Sequence, residues 1–220
     1  GSEMCIRDRC MYNFTFNIPT KIHFGKDTIS SLSELKAYGS KVLLVYGGGS
    51  IKKNGLYDTA MKILKDAGLT VFELSGVEPN PKIETVRKGV EICKNEGIDM
   101  VLAIGGGSTI DCSKVVAAGA KYDGDAWDLV LDGSKVKAAL PIFDVLTLSA
   151  TGTEMDPFAV ISDMSKNEKW GTGSPYMVPT MSILNPEYTF SVSKKQTAAG
   201  TADMICLLYT SPSPRDKRQS

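Results

Sequence analysis

Two stretches of this chain end on the same four residues: "LLVYGGGS", closing at Ser50, and "VLAIGGGS", closing at Ser108. Three successive glycines let the backbone approach a bulky anion, and the serine after them can cap a helix and offer a hydroxyl. A helix N-terminus behind such a turn favours a phosphate by about 0.3–1 kcal/mol per interaction. A single turn of this kind is explained equally well as a tight strand-to-helix connection. Two at equivalent positions of one sheet point to phosphate binding. The spacing is neither G-x-x-x-x-G-K-[ST] nor G-x-G-x-x-G, and "GKDT" at 25–28 completes no P-loop. Glu73 stands near the end of an apolar run, where a dinucleotide fold places the acid that holds a ribose; a purely structural role is open.

The elements around these turns alternate. "KVLLVY" (41–46), "LTVFEL" (69–74), "DMVLAI" (99–104) and "PIFDVLTL" (141–148) read as buried strands. Between them, 51–68 reads as one helix ending on Gly68, and 81–97 as a second, opened by Pro81 and closed by Gly97. Residues 108–120 read as a third. Strand and helix in alternation predict right-handed βαβ units and an α/β fold, its parallel sheet covered on both faces. Both glycine turns then sit at carboxyl ends of strands, where open α/β sheets bind ligands. "FTFNIPTKIHFG" (14–25) alternates like an antiparallel hairpin. "FAVISD" (158–163) and "TMSILN" (180–185) predict further short strands, and from Ser193 the pattern turns helical.

Composition narrows the class. The 220 residues are 42% hydrophobic and 23% charged, with 25 basic against 25 acidic side chains. That length allows one large domain, or one domain and a piece of another. Nothing basic points to nucleic acid, and no apolar run is long enough for a membrane span. The first ten residues lack the apolar core of a signal peptide. The five cysteines are uneven in number and match no zinc spacing. Cys93 and Cys112 read as small hydrophobes on helix faces, and the expected compartment is a reducing cytoplasm.

Residues 76–117, "GVEPNPKIETVRKGVEICKNEGIDMVLAIGGGSTIDCSKVVA", resemble the iron-dependent (group III) alcohol dehydrogenases, and within them the NADP-dependent butanol dehydrogenases and aldehyde reductases. "TLSATGTEMDPFAVISD" (147–163) and "ILNPEYTFSVSKKQTAAGTADMI" (183–205) match further blocks in the same order, so the resemblance covers about 11–205. It implies a nucleotide-binding α/β domain over 11–185 and the start of an all-helical metal-binding domain over 186–205. Gly106, Gly107 and Ser108 would form the pyrophosphate loop, with Asp111 facing the nicotinamide end. Asn80 matches a cofactor-side asparagine, and Thr147, Ser149 and Thr151 match hydroxyls along the cofactor channel. Val160 and Lys169 match positions over the nicotinamide ribose; the residues alone read equally as a strand core residue and a solvated charge. NAD-preferring relatives often carry an aspartate on the first loop. Here Gly48, Gly49 and Ser50 are followed by Lys52 and Lys53, which suits the 2′-phosphate of NADP, with NAD as the alternative.

The resemblance also implies Fe²⁺ or Zn²⁺ held by one aspartate and three histidines. Asp203 matches the aspartate, but the position four residues on is Leu207. The only histidine is His23, on an alternating stretch near the other end, where a structural role is expected. The match lapses near Ile205, and the helix that begins at Ser193 is expected to stop there with it. "LLYTSPSPRD" and "SEMCIRDR" read like translated sequencing-adapter readthrough, so 1–10 and 206–220 are set aside as a non-native leader and tail. The expected whole protein transfers a hydride between NADP(H) and a primary alcohol or aldehyde. As alternatives, this chain is a non-catalytic nucleotide-binding fragment, or a relative of the glycerol and polyol-phosphate dehydrogenases. A homodimer formed along the edge of the N-terminal hairpin is a further expectation.

Overall fold

In a computed structural model, residues 15 and 17–210 of the chain are described. The leader 1–10, most of the lead-in before Thr20 and the tail from Ser211 lie outside them. One six-stranded sheet organises the chain. Its strands are β1 (Lys21–Phe24), β2 (Lys41–Tyr46), β3 (Thr70–Leu74), β4 (Met100–Gly105), β5 (Ile142–Leu146) and, last in sequence, Met181–Leu184. Two strands intervene before that one, β6 (Phe158–Asp163) and β7 (Glu168–Gly173), so it is β8. The sheet order is β1-β8-β5-β4-β2-β3 and every pairing is parallel. Chain progress reverses at β2: β3 lies on one side of it and β4 on the other. That switch point is where a crevice opens at the carboxyl edge.

The helices are α1 (Ser50–Lys53), α2 (Leu56–Asp66), α3 (Ile83–Glu96), α4 (Gly107–Gly119), α5 (Ala126–Leu131) and α6 (Lys194–Thr210). One face of the sheet is covered by α2 and the 3₁₀ turns of 28–37, which pack on Leu44, Leu102 and Phe143. The other is covered by α3, α4 and α5, which pack on Leu43, Val101 and Ile142. Strands buried on both faces explain the unbroken apolar runs at 41–46 and 100–105.

Three expectations are corrected. The stretch 14–25 is no antiparallel hairpin: its described part, β1, pairs parallel with β8 as an edge strand, and Phe14 and Phe16 lie outside the described residues. Three of the four β1 residues are exposed, and an exposed edge strand can alternate in sequence whichever way its partner runs. The helix expected over 51–68 is two, because Gly55 adopts φ 79° and interrupts the ladder after Asn54. The last helix does not end near Ile205; α6 continues to Thr210. "FAVISD" is a strand as expected, and it pairs antiparallel with β7 in a hairpin separate from the main sheet.

Helices α3 and α4 touch closely because glycines stand at the crossing. A Cβ on Gly89 would lie 2.7 Å from Val116 Cγ2 and 2.8 Å from Leu74 Cδ2, and one on Gly119 would lie 2.6 Å from Val90 Cγ2. Helix propensity alone favours Gly89→Ala by about 1 kcal/mol. Overpacking in a full core costs about 1–3 kcal/mol. The contact is expected to win: Gly89→Ala should lower the denaturant midpoint. A raised midpoint would show that the two helices can part without cost.

Candidate functional site

The site is built at the carboxyl ends of β2 and β4. Tyr46 and Ile104 are register partners, so the glycine turns that follow them open side by side on one edge. Their glycines serve different ends. In the second turn space is short: a Cβ on Gly105 would meet Thr109 at 2.5 Å, one on Gly107 would press on Thr151 Oγ1 at 3.2 Å, and one on Gly106 would touch Leu148 at 3.4 Å. In the first turn nothing lies within 4 Å of a Cβ on Gly48 or Gly49, although Gly49 takes φ 95°. The second turn is thus a tight cradle at the N-terminus of the 13-residue α4, and the first is an open lip.

Several sequence-predicted residues converge on the cradle. Asn80, at φ 56°, donates its backbone N–H to Ser108 Oγ at 3.3 Å, and its Oδ1 accepts from Lys169 Nζ at 2.7 Å. The β6–β7 hairpin reaches that position because Ser162 N–H bonds the Pro81 carbonyl at 2.9 Å. Thr147 N–H bonds the Gly105 carbonyl at 2.9 Å, tying the 147–153 loop to the cradle. Thr151 faces Gly107, while Ser149 lines a neighbouring cavity of about 250 Å³ with Leu146, Glu154 and Asn185. Asp111 accepts from Thr153 Oγ1 at 2.6 Å and from Val160 N–H at 3.0 Å. Burial pushes the Asp111 carboxyl upward, against those two hydrogen bonds.

The first lip is less cationic than its lysines suggest. Glu73 accepts from the hydroxyls of Tyr46 and Tyr57, each at 2.7 Å. Lys52 Nζ lies 3.8 Å from Glu73 and over both tyrosine rings, so its charge is shared with them. Lys53 has no ion-pair partner among the described residues.

Sequence reasoning passed over a second layer. Lys114, wholly buried, donates to Thr153 Oγ1, to the Asp156 carbonyl and carboxylate, and to the Phe158 carbonyl, all at 2.8 Å. Burial pulls its pKa down, and Asp156 opposes that. The signal was there: one lysine inside the apolar run "CSKVVAAGA" can be buried only if paired.

The implied metal finds no matching donor set. Asp203 lies exposed on α6, with Leu207 one turn on in the same helix. His23 is engaged locally, by Ser31 Oγ at 3.1 Å and Glu34 at 3.3 Å. Among the described residues no three His, Cys, Asp or Glu side chains group to hold an ion.

Residues 19–186 match the family described as iron-containing alcohol dehydrogenase. The chain belongs to that family. It is 59% identical over 202 residues to NADH-dependent butanol dehydrogenase A of Clostridium acetobutylicum, covering 91% of this chain and 52% of that protein. It is 40% identical over 196 residues to the NADPH-dependent aldehyde reductase YqhD of Escherichia coli, covering 88% and 50%. The crystal structure of NADH-dependent butanol dehydrogenase A from Thermotoga maritima superposes with a TM-score of 0.85 at 49% identity, covering 89% of this chain and 50% of that one. The chain spans about half the length of the curated relatives it matches.

Lys114→Met removes one partner of a buried pair. A fully buried pair broken this way costs about 3–5 kcal/mol. Asp156 is about a third exposed, which puts the expected loss at the low end, about 3 kcal/mol. Faster amide exchange at 153–160 should accompany it. Unchanged exchange there would mean that Lys114 does not hold the segment.

Proposed function

We propose that this chain is the nucleotide-binding part of an oxidoreductase that exchanges a hydride between NADP(H) and a primary alcohol or aldehyde. The observation that carries the reading is the pair of glycine turns on adjacent strands at the switch point. The cradle fits a dinucleotide because three glycines with little room for side chains put bare backbone at the N-terminus of α4. Gly106, Gly107 and Ser108 would take the pyrophosphate. Asn80 and Lys169, already bonded to each other, would close over the ribose with Val160, and Thr147, Ser149 and Thr151 would line the channel. When bound, the dinucleotide supplies the hydride chemistry. The residues present do not fit the metal, and no step is assigned to it. β1, the edge strand of the sheet among the described residues, supports a homodimer formed by strand addition.

The 2′-phosphate is read from the first lip: no carboxylate stands on Gly47–Gly55, and Gly48, Gly49, Ser50 and Lys53 leave room and charge for it. NADH is the second reading. Four relatives at 55–59% identity are described as NADH-dependent, and Lys52 is partly neutralised by Glu73. Gly48→Asp discriminates them, since the site has space for the new side chain. It should weaken NADPH about tenfold more than NADH, equivalent to about 1.4 kcal/mol. Equal weakening of both in calorimetric titrations would show that this lip does not read the 2′-phosphate.

Turnover by the chain itself should fail. A catalytic metal takes about three protein ligands and an open position. The purified chain with NADPH, butyraldehyde and Fe²⁺ or Zn²⁺ is expected to oxidise no NADPH above a metal-only background. Metal-dependent oxidation would show that a donor set assembles from residues not grouped here.

A further inference from the structure

Asp144 is the one charged residue type in the strand "IFDVL", and its surroundings dictate its proton. It sits in β5 directly beside Ser182 of β8, and both are wholly buried. The alternation of the strand puts Ile142, Asp144 and Leu146 on the face that α4 covers. Ser182 Oγ lies 2.6 Å from Asp144 Oδ2 and 2.7 Å from the carbonyl oxygen of Glu154. Both are hydrogen-bond distances, yet a serine hydroxyl has one proton to give. The Glu154 carbonyl can only accept. If Asp144 were ionised it too could only accept, and one of the two contacts would set lone pair against lone pair. A neutral Asp144 resolves both: it donates to Ser182 Oγ, and Ser182 donates to Glu154.

The rest of the environment agrees. Asp144 Oδ1 has no partner among the described residues, which is far less costly for a neutral acid than for a carboxylate. Its neighbour in β4 is the apolar Ala103. The titratable groups that face it are Glu154, on the loop, and Lys114, on α4. Burial, first, and the Glu154 charge push the Asp144 carboxyl well above its ordinary value; Ser182 and Lys114 oppose them. Lys114 is already committed to Asp156.

We propose that Asp144 is a positioning residue that works as a neutral acid: its proton, passed through Ser182, fixes the Glu154 carbonyl and with it the Thr151–Glu154 turn beside the glycine cradle. Glu154 follows Thr153, which ties the same turn to Asp111 and Lys114, so the turn is latched on both sides. The consequence for nucleotide binding rests on the function proposed above; the protonation state does not.

Stability should carry the sign of a raised carboxyl. The folded state holds a proton that the unfolded chain releases near pH 4, so this contribution is full below about 4 and is lost as pH rises toward the folded value. In Asp144→Asn the amide can donate to Ser182 at every pH, so the melting temperature of the variant minus that of the wild type should grow between pH 4 and pH 8. Isotope-edited infrared difference spectra at neutral pH should show a protonated-carboxyl band in wild type that Asp144→Asn lacks. Asp144→Ala should weaken NADPH about three- to tenfold while Asp144→Asn stays near wild type. A missing carboxyl band, or a melting difference that shrinks with pH, overturns the neutral acid. Equal NADPH affinity in the Asn and Ala variants overturns the positioning role. Absence of NADPH binding by wild type refutes the proposed function instead, and the infrared and melting arms still decide the state of Asp144.

Discussion

Helix α4 is buried from Thr109 through Gly119 except at Asp111, which is half-buried, and it carries the charged side chain of Lys114 wholly into the interior. Burying a lysine costs several kcal/mol unless its charge is paired and its protons are taken. Lys114 meets that demand with four oxygens, all from the segment Thr153–Phe158. Asp111, one turn earlier on the same helix, adds Thr153 and Val160. The helix that would point its N-terminus at a phosphate therefore also dictates where the opposing loop and the β6–β7 hairpin lie. Removing the core around α4 would cost the geometry of the site before it cost any side chain in it.

Close packing makes that arrangement rigid. Gly89 and Gly119 let α3 and α4 approach until valines fill the space where their Cβ atoms would be. Gly105 and Gly107 do the same between the cradle, Thr109 and Thr151. Interiors at this density transmit displacement rather than absorb it. The lip formed by Gly48 and Gly49 is the opposite case: it is open, with nothing within 4 Å of a Cβ on either glycine.

The sheet was legible because strands buried on both faces leave unbroken apolar runs, and the helix ends at Gly68 and Gly97 because both positions take a positive φ. The break at Gly55 was not legible, since the apolar spacing of 51–68 continues across it. Nor was the direction of β1: period two reports exposure, not the sense of the neighbouring strand. The convergence of Asn80, Ser108 and Lys169 came from the family resemblance, while the bonds that produce it depend on contacts across 89 residues of chain. Lys114 and Asp144 were visible as charges inside apolar runs. Their partners, Thr153, Asp156 and Ser182, were invisible, because nothing local distinguishes a serine or threonine that receives a buried charge from one that faces water.

The central claim is that the two glycine turns and the loops latched over them form one dinucleotide site. Titrating NADPH, and in parallel NADH, into isotope-labelled chain while following backbone amide resonances tests it directly. The account predicts shifts grouped at 47–50, Asn80, 106–108, 147–153 and 160–169, with residues on the far, amino-terminal edge of the sheet unmoved. Saturable shifts confined to α6 or to that far edge, or no shifts with either cofactor, would contradict it.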